Sequence, residues 1–180
     1  SGAGESDLER EAIERFTDAG GIFIAAAGND GDDLDDEPAY PASHDVPGIV
    51  AVAATDQSYE LASFSSYGEE TVDLGAPGTN ILSTYPGNQY AYASGTSMAA
   101  PQVSGVAALL IFLDPGATVS ELKASLLQTG DPTDALCTRT VPGKRLNALN
   151  AVQGIVTDPC DIEAPVITLY GDDDAYARAN

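Results

Sequence analysis

The residues Ser94-Gly95-Thr96-Ser97-Met98-Ala99-Ala100-Pro101 run directly into an apolar series from Val103 to Leu113. Glycine and hydroxyl residues ahead of such a run mark a helix start, and the spacing predicts one helix from Thr96 to Leu113, ending before Asp114-Pro115-Gly116. Apolar character on every side predicts that this helix is buried in the middle of the domain. A hydroxyl at its leading end meets unpaired N–H groups and the positive end of the helix dipole, which favour developing negative charge. An acyl-transfer nucleophile would stand there. The plainer reading makes Thr96 or Ser97 an N-cap and nothing more. The longest uninterrupted apolar run, Val106 to Leu113, falls short of the roughly 20 residues that a bilayer requires.

Around this helix the pattern is that of an α/β layer fold. Ser6-Asp7-Leu8-Glu9 forms a capping box, and Leu8, Ala12, Ile13, Phe16 and Ala19 recur at helical spacing until Gly20-Gly21 stops the helix. Ile22 to Ala27 is then a continuous apolar run, as expected of a parallel strand buried on both faces. Asn29 follows just beyond the strand's carboxyl end, where open α/β sheets place their ligand sites. Val46-Pro47-Gly48 turns the chain into a strand from Ile49 to Ala54, and further strands are expected at Thr71–Leu74, Ile81–Thr84 and Tyr90–Ala93. A second long helix starts at Thr118, with Glu121 completing its capping box and Val119, Leu122, Leu126 and Leu127 on the inner face. A short third helix starts near Asn147.

Charge limits the partners. The chain of 180 residues carries 28 acidic against 7 basic side chains, a net charge of −21, which excludes nucleic acid. The segment Asp30-Gly31-Asp32-Asp33-Leu34-Asp35-Asp36-Glu37 reads first as a self-repelling, solvated loop. Its carboxylates also suit a structural calcium ion, although the sixth position counted from Asp30 is Asp35 where a helix-loop-helix calcium site has glycine. Ser1 to Asp7 has neither a basic nor an apolar region, so no leader is read there and the chain is expected to start within a longer protein. Cys137 and Cys160 form a disulfide if the protein is extracellular, with two buried thiols as the other reading.

The seven residues Gly95-Thr96-Ser97-Met98-Ala99-Ala100-Pro101 resemble the nucleophile signature of subtilisin-like serine peptidases. Ile24-Ala25-Ala26-Ala27-Gly28-Asn29-Asp30 resembles that family's strand and oxyanion segment, and Tyr40-Pro41-Ala42 with Ile49–Ala54 the strand that follows. Leu74-Gly75-Ala76-Pro77-Gly78 and Ser83-Thr84-Tyr85-Pro86-Gly87 fall in the family's order. The resemblance implies the carboxyl-terminal part of a subtilisin-like three-layer α/β fold over residues 1–158, with a mostly parallel sheet and helices on both faces. Residues 159–180 are expected to be a linker or the start of an appended β-module, with Glu163 to Gly171 as its opening strand.

The resemblance further implies a serine endopeptidase, secreted, acting on polypeptides through an acyl-enzyme. Ser97 matches the nucleophile and Asn29 the side-chain oxyanion donor, with the Ser97 amide as the other donor. Ala25, Ala26, Ala27, Gly28, Gly95 and Thr96 match substrate-binding positions. The small wall leaves room for a large apolar side chain, while Asp30 at its rim favours a basic one. Ser1 to Gly4 resembles the end of the strand that pairs with extended substrate. No cofactor is required for this chemistry.

The family's triad Asp and His have no counterpart in this chain. His44, the only histidine, follows Asn29, whereas the family's catalytic His precedes it; His44 reads as an exposed loop residue with a solvated imidazole. Asp7, Asp18 and Asp73 read as helix cap, helix surface and solvated strand edge. Gln102 stands where many relatives carry His after the Pro, a position outside the triad. By this reading the missing amino-terminal part of the peptidase domain is a partner, and this chain alone is inactive. The alternatives are a catalytically inactive subtilisin-like fragment that serves as a binding or structural module, and an acidic calcium-dependent adhesion module.

Overall fold

A computed structural model describes residues 4–158. Residues 1–3 of the substrate-pairing strand, the Cys160 partner of Cys137, and the linker or β-module over 159–180 lie outside the described residues. In chain order the elements are α1 (Asp7–Asp18), β1 (Phe23–Ala26), β2 (Ile49–Thr55), β3 (Leu74–Pro77), β4 (Ile81–Tyr85) and β5 (Gln89–Ala93). There follow α2 (Thr96–Leu113), α3 (Val119–Gln128), β6 (Asp131–Pro132), β7 (Lys144–Arg145) and α4 (Ala148–Gln153).

One sheet has the order β1-β2-β3-β7-β6, parallel throughout except for the last pair, and β4 and β5 form a separate antiparallel ribbon. Every residue of β2 is buried. Because successive side chains of a strand point to opposite faces, Val50, Val52 and Ala54 join α2, α3 and α4 in one core, while Ile49, Ala51 and Ala53 face another. That second core is closed by Ile13 of α1 and by Leu34, Ala42 and Val46 from the long segment between β1 and β2.

The helix starts follow their caps. Ser6 Oγ accepts the Glu9 amide at 3.3 Å, and Thr118 makes the complete capping box with Glu121. Glu121 is held below the usual carboxylate range by hydrogen bonds from the Thr118 amide and hydroxyl. The Asn147 side chain accepts the Asn150 amide at 2.9 Å ahead of α4.

Several expectations are corrected. The apolar face of α1 is mostly uncovered: Ile13 alone is buried, and Leu8 and Phe16 stand 78% and 50% exposed. Among the described residues β1 pairs with β2 alone, at the edge of the sheet, and it is half-buried apart from Ala25. β3 starts at Leu74 and not at Thr71; just before it, Asp73 bonds Ala51 twice, its amide donating to the Ala51 carbonyl at 2.9 Å and its carboxylate accepting the Ala51 amide at 2.8 Å.

The largest departure concerns α2. It packs on β1, β2 and β3 through Thr96, Ala99, Val103, Val106, Ala107 and Leu110, but Ile111, Phe112 and Leu113 are 43%, 81% and 55% exposed. Uniform apolarity says nothing about which side the sheet takes. By length and composition α2 would pass for a membrane span, but its packing on the sheet makes it a core helix with one apolar side uncovered among the described residues.

Candidate active site

Three chain segments meet at the leading end of α2. Gly78, just past β3, accepts the Gly95 amide on its carbonyl at 2.8 Å, and Gly95 precedes the helix as its cap residue. A Cβ on Gly78 would lie 2.5 Å from the Ala54 Cβ and 2.9 Å from the Gly95 carbonyl oxygen, so glycine is needed for this close approach. The third segment is the turn after β1. Gly28 adopts φ +119°, a conformation that glycine takes readily, and its carbonyl accepts the Ser66 amide at 3.0 Å.

Asn29 is clamped there from two sides. Its Oδ1 accepts the Thr96 amide at 2.8 Å and the Thr96 hydroxyl at 3.1 Å, and the Gly28 amide donates to that same hydroxyl at 3.2 Å. With Oδ1 so engaged, Nδ2 is the donor end of the Asn29 amide, and both atoms lie 3.6 Å from where a Cβ on Gly95 would stand. Ser97, the next residue, is exposed on the first turn of α2, and its amide is one of those that an α-helix cannot satisfy internally. The fold thus brings Asn29, Gly95, Thr96 and Ser97 together, with Ser97 exposed next to the clamped Asn29–Thr96 pair.

Beside Asn29 opens a cavity of about 480 Å³. Ala26, Ala27, Gly28, Asn29 and Asp30 line it on one side, and Asp32, Glu37, Pro38, Ala39, Tyr40 and Ser66 complete it. Ala25 faces the second core, 3% exposed, and Thr96 is fully buried, its hydroxyl engaged in bracing Asn29. Sequence reasoning missed the far wall from Glu37 to Ala39, together with Ser66. No residue pattern announced them, because they reach the cavity only through the return of the loop and the pairing of Ser66 with Gly28.

His44 lies elsewhere and is not solvated. Its side chain is fully buried, Nε2 meets a Glu9 carboxylate oxygen at 3.0 Å, and the ring stacks at a tilt on Tyr40, 4.5 Å between centroids. Burial follows from α1, whose Glu9 reaches across to it. Asp73 is likewise not a solvated edge residue. It is 6% exposed, accepts the Ala51 amide and pairs with Lys123 Nζ at 2.8 Å. Burial pushes its carboxyl above the usual range, opposed by the charge and hydrogen bond of Lys123.

The acidic loop is organised rather than merely repelled. The Asp35 carboxylate accepts the Glu70 and Thr71 amides at 3.0 and 2.9 Å. Burial acts to raise its pKa, but hydrogen bonds from the Thr71 hydroxyl and the amides of Glu70, Thr71 and Glu69 outweigh it and hold the group below its ordinary 3.8. Among the described residues no three His, Cys, Asp or Glu side chains converge in a way that could hold a metal ion.

The Subtilase family model matches residues 2–155. The chain belongs to the subtilase family. Thermitase of Thermoactinomyces vulgaris is 42% identical over 150 residues, covering 83% of this chain and 50% of thermitase. A thermostable alkaline protease of Halalkalibacterium halodurans is 45% identical over 129 residues, 72% of this chain and 34% of that protein. Among solved structures, a chain from work on subtilase cytotoxin SubAB assembly superposes with a TM-score of 0.73 at 29% identity, over 85% of this chain and 56% of that one. This subtilase chain therefore spans about half the length of thermitase, and its mostly parallel α/β sheet is part of a subtilase domain.

Proposed function

We propose that this chain is the nucleophile-bearing part of a secreted subtilisin-type serine endopeptidase. Ser97 Oγ attacks the carbonyl carbon of a peptide bond, and its proton passes to a histidine that lies, with the orienting aspartate, outside this chain. The tetrahedral oxyanion accepts hydrogen bonds from the Ser97 amide and Asn29 Nδ2. The amine departs with the proton, and water then hydrolyses the acyl-Ser97 ester. Cofactors take no part in these steps.

The observation that carries this reading is the Thr96 clamp on Asn29 Oδ1, which leaves Nδ2 as a fixed donor one residue away from the exposed hydroxyl. Fixed dipoles at the place where charge develops need no reorganisation during reaction. The remainder of the domain belongs against the unpaired side of β1 and the uncovered side of α2, where Phe16, Phe23, Ser104, Ala108 and Ile111 line an apolar groove. Cys137 and Cys160 are read as a disulfide, which a non-reducing peptide map checks.

A fluorophosphonate probe tests the assignment. This chain alone is expected to leave Ser97 unlabelled for want of a base, and the complete protein to label at Ser97. Stoichiometric labelling of Ser97 in this chain alone would show that the base is here after all. A complete protein that hydrolyses peptides but labels at another serine removes Ser97 from the role.

A further inference from the structure

We infer that His44 is a positioning residue for the cavity beside Asn29: its buried ring, held by Glu9 of α1, sets the Tyr40 side chain and with it the far wall of that cavity. Under the reading of Ser97 as nucleophile and Asn29 as oxyanion donor, on which this rests, a substrate side chain occupies the cavity.

The far wall lies on the segment between β1 and β2, and its backbone is fastened on both sides of Pro38. The Glu37 amide donates to the Asp33 carbonyl at 2.7 Å. Beyond Pro38, the Ala39 amide donates to Ser43 Oγ at 3.0 Å and the Ser43 amide to the Ala39 carbonyl at 2.9 Å. These bonds fix the course of the chain, but they do not choose the side-chain torsions of Tyr40. The Tyr40 ring, half-buried, lines the cavity and packs on the His44 ring, with centroids 4.5 Å and planes 46° apart.

The fold as a whole sets His44 in turn. Its side chain is fully buried, and Ala42 and Val46 on either side of it belong to the second core. Nε2 meets the Glu9 carboxylate at 3.0 Å, which ties the ring to α1, 35 residues earlier in the chain. Nδ1 is buried as well and has no hydrogen-bond partner. An unpaired buried polar atom is unfavourable, so a side chain that served only as a hydrogen-bonding group would be poorly suited here. What the position uses is a flat ring anchored along one edge. Neither Glu9 nor His44 is among the residues lining the cavity, so each acts on it through Tyr40.

Positioning of this kind has a signature that loss of stability lacks. A displaced wall weakens the hold on a large substrate side chain that reaches it, while a small side chain is indifferent. In the complete enzyme, kcat and KM are measured for two peptides that differ only in phenylalanine or alanine before the cleaved bond. His44→Gln keeps an amide that can donate to Glu9 but has no ring. It is expected to raise KM for the phenylalanine peptide about tenfold with kcat within about twofold, and to leave both constants for the alanine peptide within about twofold. His44→Phe restores the ring without the nitrogens and should bring KM back to within about threefold of the parent. Glu9→Ala, at a half-exposed position of α1, frees the anchored edge and should raise the same KM about threefold.

An equal loss for both peptides makes His44 merely structural and overturns the inference. So does an unchanged KM in His44→Gln, or a His44→Phe variant as impaired as His44→Gln. If His44→Gln does not fold, Glu9→Ala carries the test, and an unchanged KM there overturns it. In all these cases fluorophosphonate labelling of the parent at Ser97 leaves the peptidase reading standing. A parent that hydrolyses neither peptide, or labels at another serine, overturns that reading and the role of His44 with it.

Discussion

Thr96 holds Asn29 by amide and hydroxyl together, and the consequences of that clamp are separable by mutation. Replacing Asn29 with alanine removes the Nδ2 donor, and in the complete enzyme kcat should fall by about 10²–10³, the size of the effect for the corresponding donor in subtilisin, with little change in KM. Thr96→Val removes the hydroxyl that donates to Asn29 and accepts the Gly28 amide, leaving that amide without its partner. The expected loss is about 1–3 kcal/mol of stability, read by urea denaturation. Asp35 gives a pH dependence. Its folded pKa lies below the ordinary 3.8, so its contribution to stability is present above that value and is lost as pH falls through the folded pKa. Asp35→Asn should therefore lower the urea midpoint at pH 7, with the gap to the parent closing below pH 3.8. An equal gap at pH 7 and pH 2.5 would contradict this.

At the level of elements, the helix α2 is aimed by what precedes it. Gly78 carries the chain out of β3, and its carbonyl fixes the Gly95 amide against it. Gly78→Ala would force a methyl into Ala54 and the Gly95 carbonyl, and about 1–3 kcal/mol of destabilisation is expected, with the Ser97 and Asn29 amide resonances displaced together. A methyl at Gly105, where nothing lies within 4 Å, is the matching control and should leave those resonances in place. The bounds of α2 were legible in sequence because Gly95 and the Asp114-Pro115-Gly116 turn bracket it. Its single buried stripe was not, since all its faces are apolar and only the sheet's position distinguishes them. The same holds for β1, whose apolar run suits a central strand but which, among the described residues, has a strand neighbour on one side only.

On the scale of the whole molecule, an uncovered apolar surface coexists with a strongly acidic one. Ile111 and Phe112 expose large hydrophobic area, so the isolated chain should bind a hydrophobic dye, and Ile111→Asp/Phe112→Asp should reduce the dye signal while the melting temperature stays within a few degrees. With a net charge of −21, added sodium chloride should raise the melting temperature by screening, most steeply below about 0.1 M where the Debye length exceeds 10 Å. By itself the sequence determined the α/β class, the caps at Ser6, Thr118 and Asn147, the extent of α2 and the family motif around Ser97, because these depend on neighbours in the chain. Only the tertiary structure decided that Asn29 turns its oxygen to Thr96, that His44 is buried on Glu9 and that Asp73 pairs with Lys123. It alone assembled the cavity wall from residues 37–40 and Ser66. Those contacts join segments from about 11 to nearly 70 residues apart, and local periodicity carries no information about which distant groups a fold will bring within hydrogen-bond reach.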